Sequence, residues 1–371
     1  MKTIPFIDLK AQYQALKEPI QNRIQKVLDH GAFIMGPEVE EVEKLLAKFT
    51  GVKHAIACSS GTDASILAFM ALGVGPGDEV IMPAFSFIAT AETALLVGAV
   101  PVYVDIDPQT FNLDVHQLEK ALTPRTKAIH PVSLYGQPAD MDEINAFAKR
   151  HNLFVIEDGA QSFGAQYKNG RSCGLSLVGV TSFFPAKPLG CYGDGGAAFT
   201  NDDSIAEAMR EVRNHGQKTR YYHTRIGVNG RLDSLQCAIL IPKLERFPWE
   251  LEQRTRLAMR FNQAFKELSS KGVRIPHLAQ DRTSSWAQYT LQVTGRDAFQ
   301  KAMTEKGIPT AVHYPRTMPD QPAYQNNGRI VSIEVSRKMA DVVVSLPLFP
   351  DMSSDQQDYV IEHVLQYFSK G

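Results

Sequence analysis

The sequence predicts an α/β protein with a large domain around a mostly parallel sheet and a smaller α+β domain at the C-terminal end. Three observations carry this. Short continuous apolar runs alternate with helical stretches of about ten to fifteen residues up to about residue 245, the pattern of βαβ units with buried strands. The chain, at 371 residues, exceeds the size at which one core keeps growing. After about residue 245 the texture changes to a long polar helix followed by short strands and helices. The expected division is 1–248 for the large domain and 249–371 for the small one, with the N-terminal segment able to pack on the latter.

In chain order, residues 17–30 and 37–50 read as helices, the second opened by Pro37 and by Glu38, Glu40 and Glu41 in its first turns. A strand at 54–60 ends in small residues and leads into a helix at 61–73. A turn, a strand and a second turn fill VGPGDEVIMPAFSF, and the helix ATAETALLVG follows. Strands are predicted at 101–107, 127–136 and 153–159, with the helix MDEINAFAKRH between the last two. VTSFFPAK and GGAAFTND read as strands bracketing a glycine-rich turn. Beyond them come a helix over 250–268 and the elements SWAQYTLQV, RDAFQKAMTEKG and DQQDYVIEHVLQYF.

Composition narrows the function. Hydrophobic residues make up 44% and charged residues 21%, and the net charge is -1, so neither a nucleic-acid surface nor an acidic tail is indicated. The start lacks a basic stretch followed by an apolar one, and no apolar run approaches a membrane span, so a cytoplasmic protein is expected. Cys58, Cys173, Cys191 and Cys237 lie far apart with no CxxC pair, which argues against a metal site and a disulfide framework. A small molecule is the expected partner.

Ligands of such sheets collect beyond the carboxyl ends of the strands. Asp158 ends the apolar run VIED, where a carboxylate needs a cationic partner or several donors; it also fits a cap on the following turn. The protonated ring nitrogen of pyridoxal phosphate is one such partner. Lys187 lies between Pro185 and Pro188, ahead of four glycines. In apolar surroundings its amine becomes an imine-forming nucleophile, where a solvated lysine would not. Ser59-Ser60-Gly61-Thr62 follows a strand and opens a helix, the geometry of a phosphate site and equally of an ordinary N-cap; Ser182 could add a hydroxyl. Phe87 could stack on a flat ring or pack in a core.

In their joint order, GPEVEEVEKLLAKFTG, SGTDA, LYGQPADMD, VIEDGAQSFGA, FFPAKPLGCYGDGGA and GVNGRLDSLQ resemble the DegT/StrS nucleotide-sugar aminotransferases. These are fold-type-I pyridoxal-phosphate enzymes with a seven-stranded large-domain sheet. The resemblance implies that Lys187 holds the cofactor as an imine, Asp158 pairs with its ring nitrogen and Gln161 with its ring hydroxyl. It also implies that Gly61, Thr62 and Ser182 hold the phosphate and that Phe87 stacks on the ring. Asn229 would reach the phosphate in the neighbouring subunit, which makes a homodimer with shared sites. Arg231 on the same loop would clamp a substrate carboxylate or, alternatively, form an interface ion pair. His313 and Tyr314 would line the sugar pocket.

A branch of the family with His at the lysine position dehydrates sugars; the retained Lys187 favours amino transfer. RIGVNGRLD and PTAVHYP are most similar to enzymes that aminate C3 of a UDP-linked 2-acetamido-3-oxo-hexuronate, with L-glutamate as donor, for surface polysaccharide (O-antigen) synthesis. Gly159 departs from the alanine usual in the family. The alternatives are a 4-keto-6-deoxy sugar as acceptor, a sugar dehydratase, and a PLP-fold regulator without turnover.

Overall fold

The computed structural model describes residues 4–369. The outermost residues of both expected domains, 1–3 and 370–371, lie outside the described residues. Seven strands of four or five residues form the central sheet: β1 (His54–Cys58), β2 (Glu79–Pro83), β3 (Val100–Val104), β4 (Thr126–Ile129), β5 (Phe154–Asp158), β6 (Val178–Ser182) and β7 (Gly196–Thr200). An eighth, β8 (Arg329–Ile330), comes from the C-terminal part of the chain and pairs in parallel with β3. The order is β1-β7-β6-β5-β4-β2-β3-β8, and only β7 runs against the others. The carboxyl ends of β1, β2, β4, β5 and β6 therefore open on one side.

The strands are largely buried on both faces, as their mostly apolar sequences require. Alternation sends Ile56, Met82, Ile156 and Val180 to one face, under the helices Gly61–Ala71 and Ala89–Leu96. Ala57, Ala197 and Phe199 face the other side with the helix Pro37–Thr50, and Ile81, Val104 and Val155 do so with Met141–His151.

A second core gathers Leu257, Phe261 and Phe265 against a three-stranded antiparallel sheet (Val273–Arg274, Tyr289–Val293, Val343–Leu346) and the helix Ser354–Ser369. Ile4 and Ile7 of the N-terminal segment pack into this core, while Met318 and Ile333 pack into the first. No described helix is long and apolar enough to cross a membrane.

Three elements differ from expectation. The first helix starts at Leu9, where Asp8 accepts from the Ala11 amide at 2.9 Å, and it runs through Pro19. The helix expected over 250–268 spans Ser234–Phe265 and contains Pro242 and Pro248. It buries Leu240, Leu244 and Phe247 in one core and Leu257 and Phe261 in the other, and packing on both outweighs the prolines. The strand expected over 127–136 stops at Ile129. Pro131 cannot donate to a ladder, and Leu134–Gly136 turns with Tyr135 at φ 58°.

Candidate active site

The open end of the sheet holds a cavity of about 570 Å³. β1 and the turn after it deliver Gly61 and Thr62, β2 delivers Phe87, β5 delivers Asp158 and Gln161, and β6 delivers Ser182 and the loop bearing Lys187. His313 and Tyr314 close it from the far side. Nine of the eleven residues singled out in the sequence thus meet in one place.

Ser60 caps the helix Gly61–Ala71, its hydroxyl accepting from the Asp63 amide at 3.0 Å. The amides of Gly61 and Thr62, first in the helix, have no acceptor within it and sit at its positive end. A Cβ on Gly61 would lie 2.6 Å from Ser182 Cβ, so glycine is what lets the helix start approach β6. Together these amides and the hydroxyls of Thr62 and Ser182, all on the cavity lining, form an anion cradle. It fits the phosphate of pyridoxal phosphate.

Asp158 Oδ1 accepts from the Ala160 amide at 3.0 Å, and Thr90 Oγ1 lies 3.5 Å from Oδ2. Lys187 is half-buried at the end of a turn in which its amide donates to the Phe184 carbonyl at 2.8 Å. Burial lowers the pKa of its amine, and the negative charge of Asp158 opposes that shift. A desolvated amine near a carboxylate is what a nucleophilic lysine and a cationic heterocycle require.

Gln161 is buried, with a partner at each end of its amide. Its Oε1 accepts from the Tyr135 amide at 2.7 Å, and its Nε2 donates to the Tyr314 hydroxyl at 3.0 Å. Burial raises the pKa of that hydroxyl, with Asp158 adding to the effect. His313 Nδ1 lies 3.0 Å from Ser345 Oγ, and burial, then the charge of Lys187, takes its pKa down to about 4. Phe87 is 53% exposed and stands over the opening, 6.0 Å from the Tyr314 ring.

Two expected residues lie elsewhere. Asn229 is exposed, and Arg231 donates from Nη1 to Asn214 Oδ1 at 2.7 Å; neither lines the cavity of its own chain. The clamp expected of Arg231 is therefore not formed within one chain, because the loop bridges to Cys58 on the edge strand β1.

Sequence reasoning missed Thr90, Tyr135, Asp194 and Gln288, the first, third and fourth on the cavity wall. Tyr135 stands behind it, its hydroxyl donating to the His313 carbonyl. Asp194 had a signal in its place among the loop glycines. Thr90 and Tyr135 had none, since only the fold brings Thr90 to the cavity and Tyr135 behind it.

The model of the DegT/DnrJ/EryC1/StrS aminotransferase family matches residues 14–365. The chain belongs to that family. It is an aminotransferase. It is 54% identical to a Pseudomonas aeruginosa protein named UDP-2-acetamido-2-deoxy-3-oxo-D-glucuronate aminotransferase, across 94% of this chain and 95% of that one. Among solved structures, a DegT/DnrJ/EryC1/StrS aminotransferase from Brucella abortus superposes with TM-score 0.95 at 42% identity, covering 98% of this aminotransferase and 99% of that chain. NtdA from Bacillus subtilis, solved with bound cofactor PMP, superposes with TM-score 0.91 at 33% identity, covering 100% and 86%.

Proposed function

We propose that this aminotransferase moves the amino group of L-glutamate to carbon 3 of UDP-2-acetamido-2-deoxy-3-oxo-glucuronate, using pyridoxal 5′-phosphate. The observation that carries the reading is the meeting of Lys187, Asp158 and the Gly61–Ser182 cradle in one cavity. The name of the P. aeruginosa relative supports carbon 3 and the UDP-linked uronate over a 4-keto-6-deoxy sugar.

Bound pyridoxal phosphate supplies an aldehyde that exchanges amines and a ring that accepts electron density from the reacting carbon. Gly61, Thr62 and Ser182 would hold its phosphate, Phe87 would cover its ring, and Lys187 Nζ would hold its aldehyde carbon. Asp158 is the acceptor for the ring nitrogen proton, and the carboxylate keeps that proton in place. As a free amine, Lys187 Nζ would take the proton from the donor's Cα and would deliver one to carbon 3 of the sugar. A desolvated amine suits this work because it is neutral in a larger fraction of molecules. His313 and Tyr314 contact the sugar from the far wall, and the neutral imidazole offers no charge to its carboxylate.

A homodimer completes the site, with Asn229 and Arg231 entering the cavity of the second copy. The exposed apolar run Phe33, Ile34 and Met35 is a surface such a copy would cover. The enzyme works in the cytoplasm, in lipopolysaccharide O-antigen biosynthesis.

The test is incubation of the cofactor-loaded enzyme with L-glutamate, then with the 3-oxo uronate and, separately, a 4-keto-6-deoxy nucleotide sugar, with mass detection of products. Amination of the uronate at carbon 3 is expected. Amination of the 4-keto sugar alone, or loss of water without amination, would overturn the assignment.

A further inference from the structure

We infer that His130 is a positioning residue for Asp158, held as a neutral imidazole with its proton on Nδ1. The inference rests on reading Asp158 as the partner of the cofactor's ring nitrogen.

The starting point is a gap in the ladder between β4 and β5. Past the end of β4, the Asp158 amide donates to the Pro131 carbonyl at 2.9 Å and the Asp158 carbonyl accepts from the Ser133 amide at 3.0 Å. Repeating that pattern two residues earlier, the Ile156 carbonyl would accept from the amide of residue 131. Residue 131 is proline and has no N–H. A buried carbonyl there would be left unpaired.

The side chain of His130 fills the gap. Its Nδ1 lies 2.7 Å from the Ile156 carbonyl oxygen. A carbonyl only accepts, so Nδ1 carries the proton. The His130 amide points the other way and donates to the Ile81 carbonyl on β2 at 2.8 Å. Ile129 pairs with Val155 and Val132 with Asp158, so His130, Ile156 and Asp158 share a face of the sheet.

The ring is sealed at 0% exposure with Phe69 edge-on at 5.4 Å, and Nε2 has no partner among the described residues. Burial pushes the imidazole's pKa down, against the pull of the Asp158 charge, which agrees with a neutral ring. The strand end that carries Asp158 is thus clamped one step earlier by an imidazole in place of a backbone amide. A neutral clamp also leaves the Asp158 charge undivided for a cation in the cavity.

The test begins with nitrogen-15 NMR of the histidine-labelled apoprotein, the His130 signal being assigned by its loss in His130→Gln. A protonated Nδ1 and a bare Nε2 are expected through neutral pH. Next, pyridoxal phosphate is titrated into variants and followed by cofactor fluorescence. His130→Phe should bind about tenfold more weakly, and adding Pro131→Ala, which returns the missing N–H, should recover most of the loss. A proton on Nε2, wild-type affinity in His130→Phe, or no recovery in the double variant would each overturn the inference. Should His130→Phe fail to fold, the tautomer in the unaltered protein still decides. Asp158→Ala with wild-type cofactor affinity would instead remove the underlying reading of the cavity while the tautomer result stood.

Discussion

Replacing Glu157 with glutamine should flatten the pH dependence of stability. Glu157 precedes Asp158 on β5, points to the opposite face and is 0% exposed. One carboxyl oxygen accepts from Ser172 Oγ at 2.7 Å and the other from the Cys173 amide at 2.9 Å. Burial outweighs these donors and raises its pKa from 4.5 to about 7. The folded chain therefore keeps a proton that the unfolded chain releases. Stability is whole below the unfolded pKa, falls as pH rises through the folded value, and levels off above it. A shift of that size corresponds to about 3 kcal/mol between the two limits. Glutamine mimics the protonated acid, with its amide donating to Ser172 Oγ, which already pairs with Ser162 Oγ at 2.5 Å. Denaturant midpoints of both proteins at about pH 5 and about pH 8 isolate this carboxyl, since every other group is shared. The wild type should lose most of 3 kcal/mol, roughly, relative to the variant on going to the higher pH. Parallel curves for the two proteins would refute the reasoning.

Three further outcomes are expected. Gly61→Ala places a Cβ 2.6 Å from Ser182 Cβ and 3.1 Å from its Cα; overpacking of about 1–3 kcal/mol should weaken cofactor binding about ten- to a hundredfold in a titration. Gly159→Ala brings its Cβ to 2.4 Å from Cys173 Sγ and 2.8 Å from Ser172 Oγ. It should destabilise by about 1–3 kcal/mol in denaturant melts, with Cys173→Ala relieving part of the loss. His313, held neutral down to about pH 4, should not set the acid limb of activity. His313→Asn should alter KM or kcat without moving that limb in a pH–rate profile.

The parts of the fold legible in the sequence are those whose burial is written in consecutive residues. Strands such as His54–Cys58 and Val100–Val104 are almost wholly apolar because both faces are covered, and the order of strand and helix follows. Helix starts were less legible. Ser234–Phe265 begins ahead of two prolines, and only the two cores it bridges explain why it continues. Asp158 and Lys187 were legible because a charge at the end of a buried strand, or between prolines in an apolar loop, demands a reason. Thr90 and Tyr135 carry no such local oddity, and His130 reads as a core histidine until the missing amide of Pro131 is noticed. Arg231 shows the reverse case: the motif was visible in the sequence, but within one chain its side chain pairs with Asn214 and lies away from the cavity.

The most direct measurement is borohydride reduction of the cofactor-loaded protein, followed by mass mapping of the labelled peptide. Reduction fixes the cofactor to whichever amine holds it. The expected result is the cofactor mass on Lys187 alone and no label in Lys187→Ala. A label on another lysine, or turnover with glutamate in Lys187→Ala, would contradict the assignment of this amine as the cofactor's anchor.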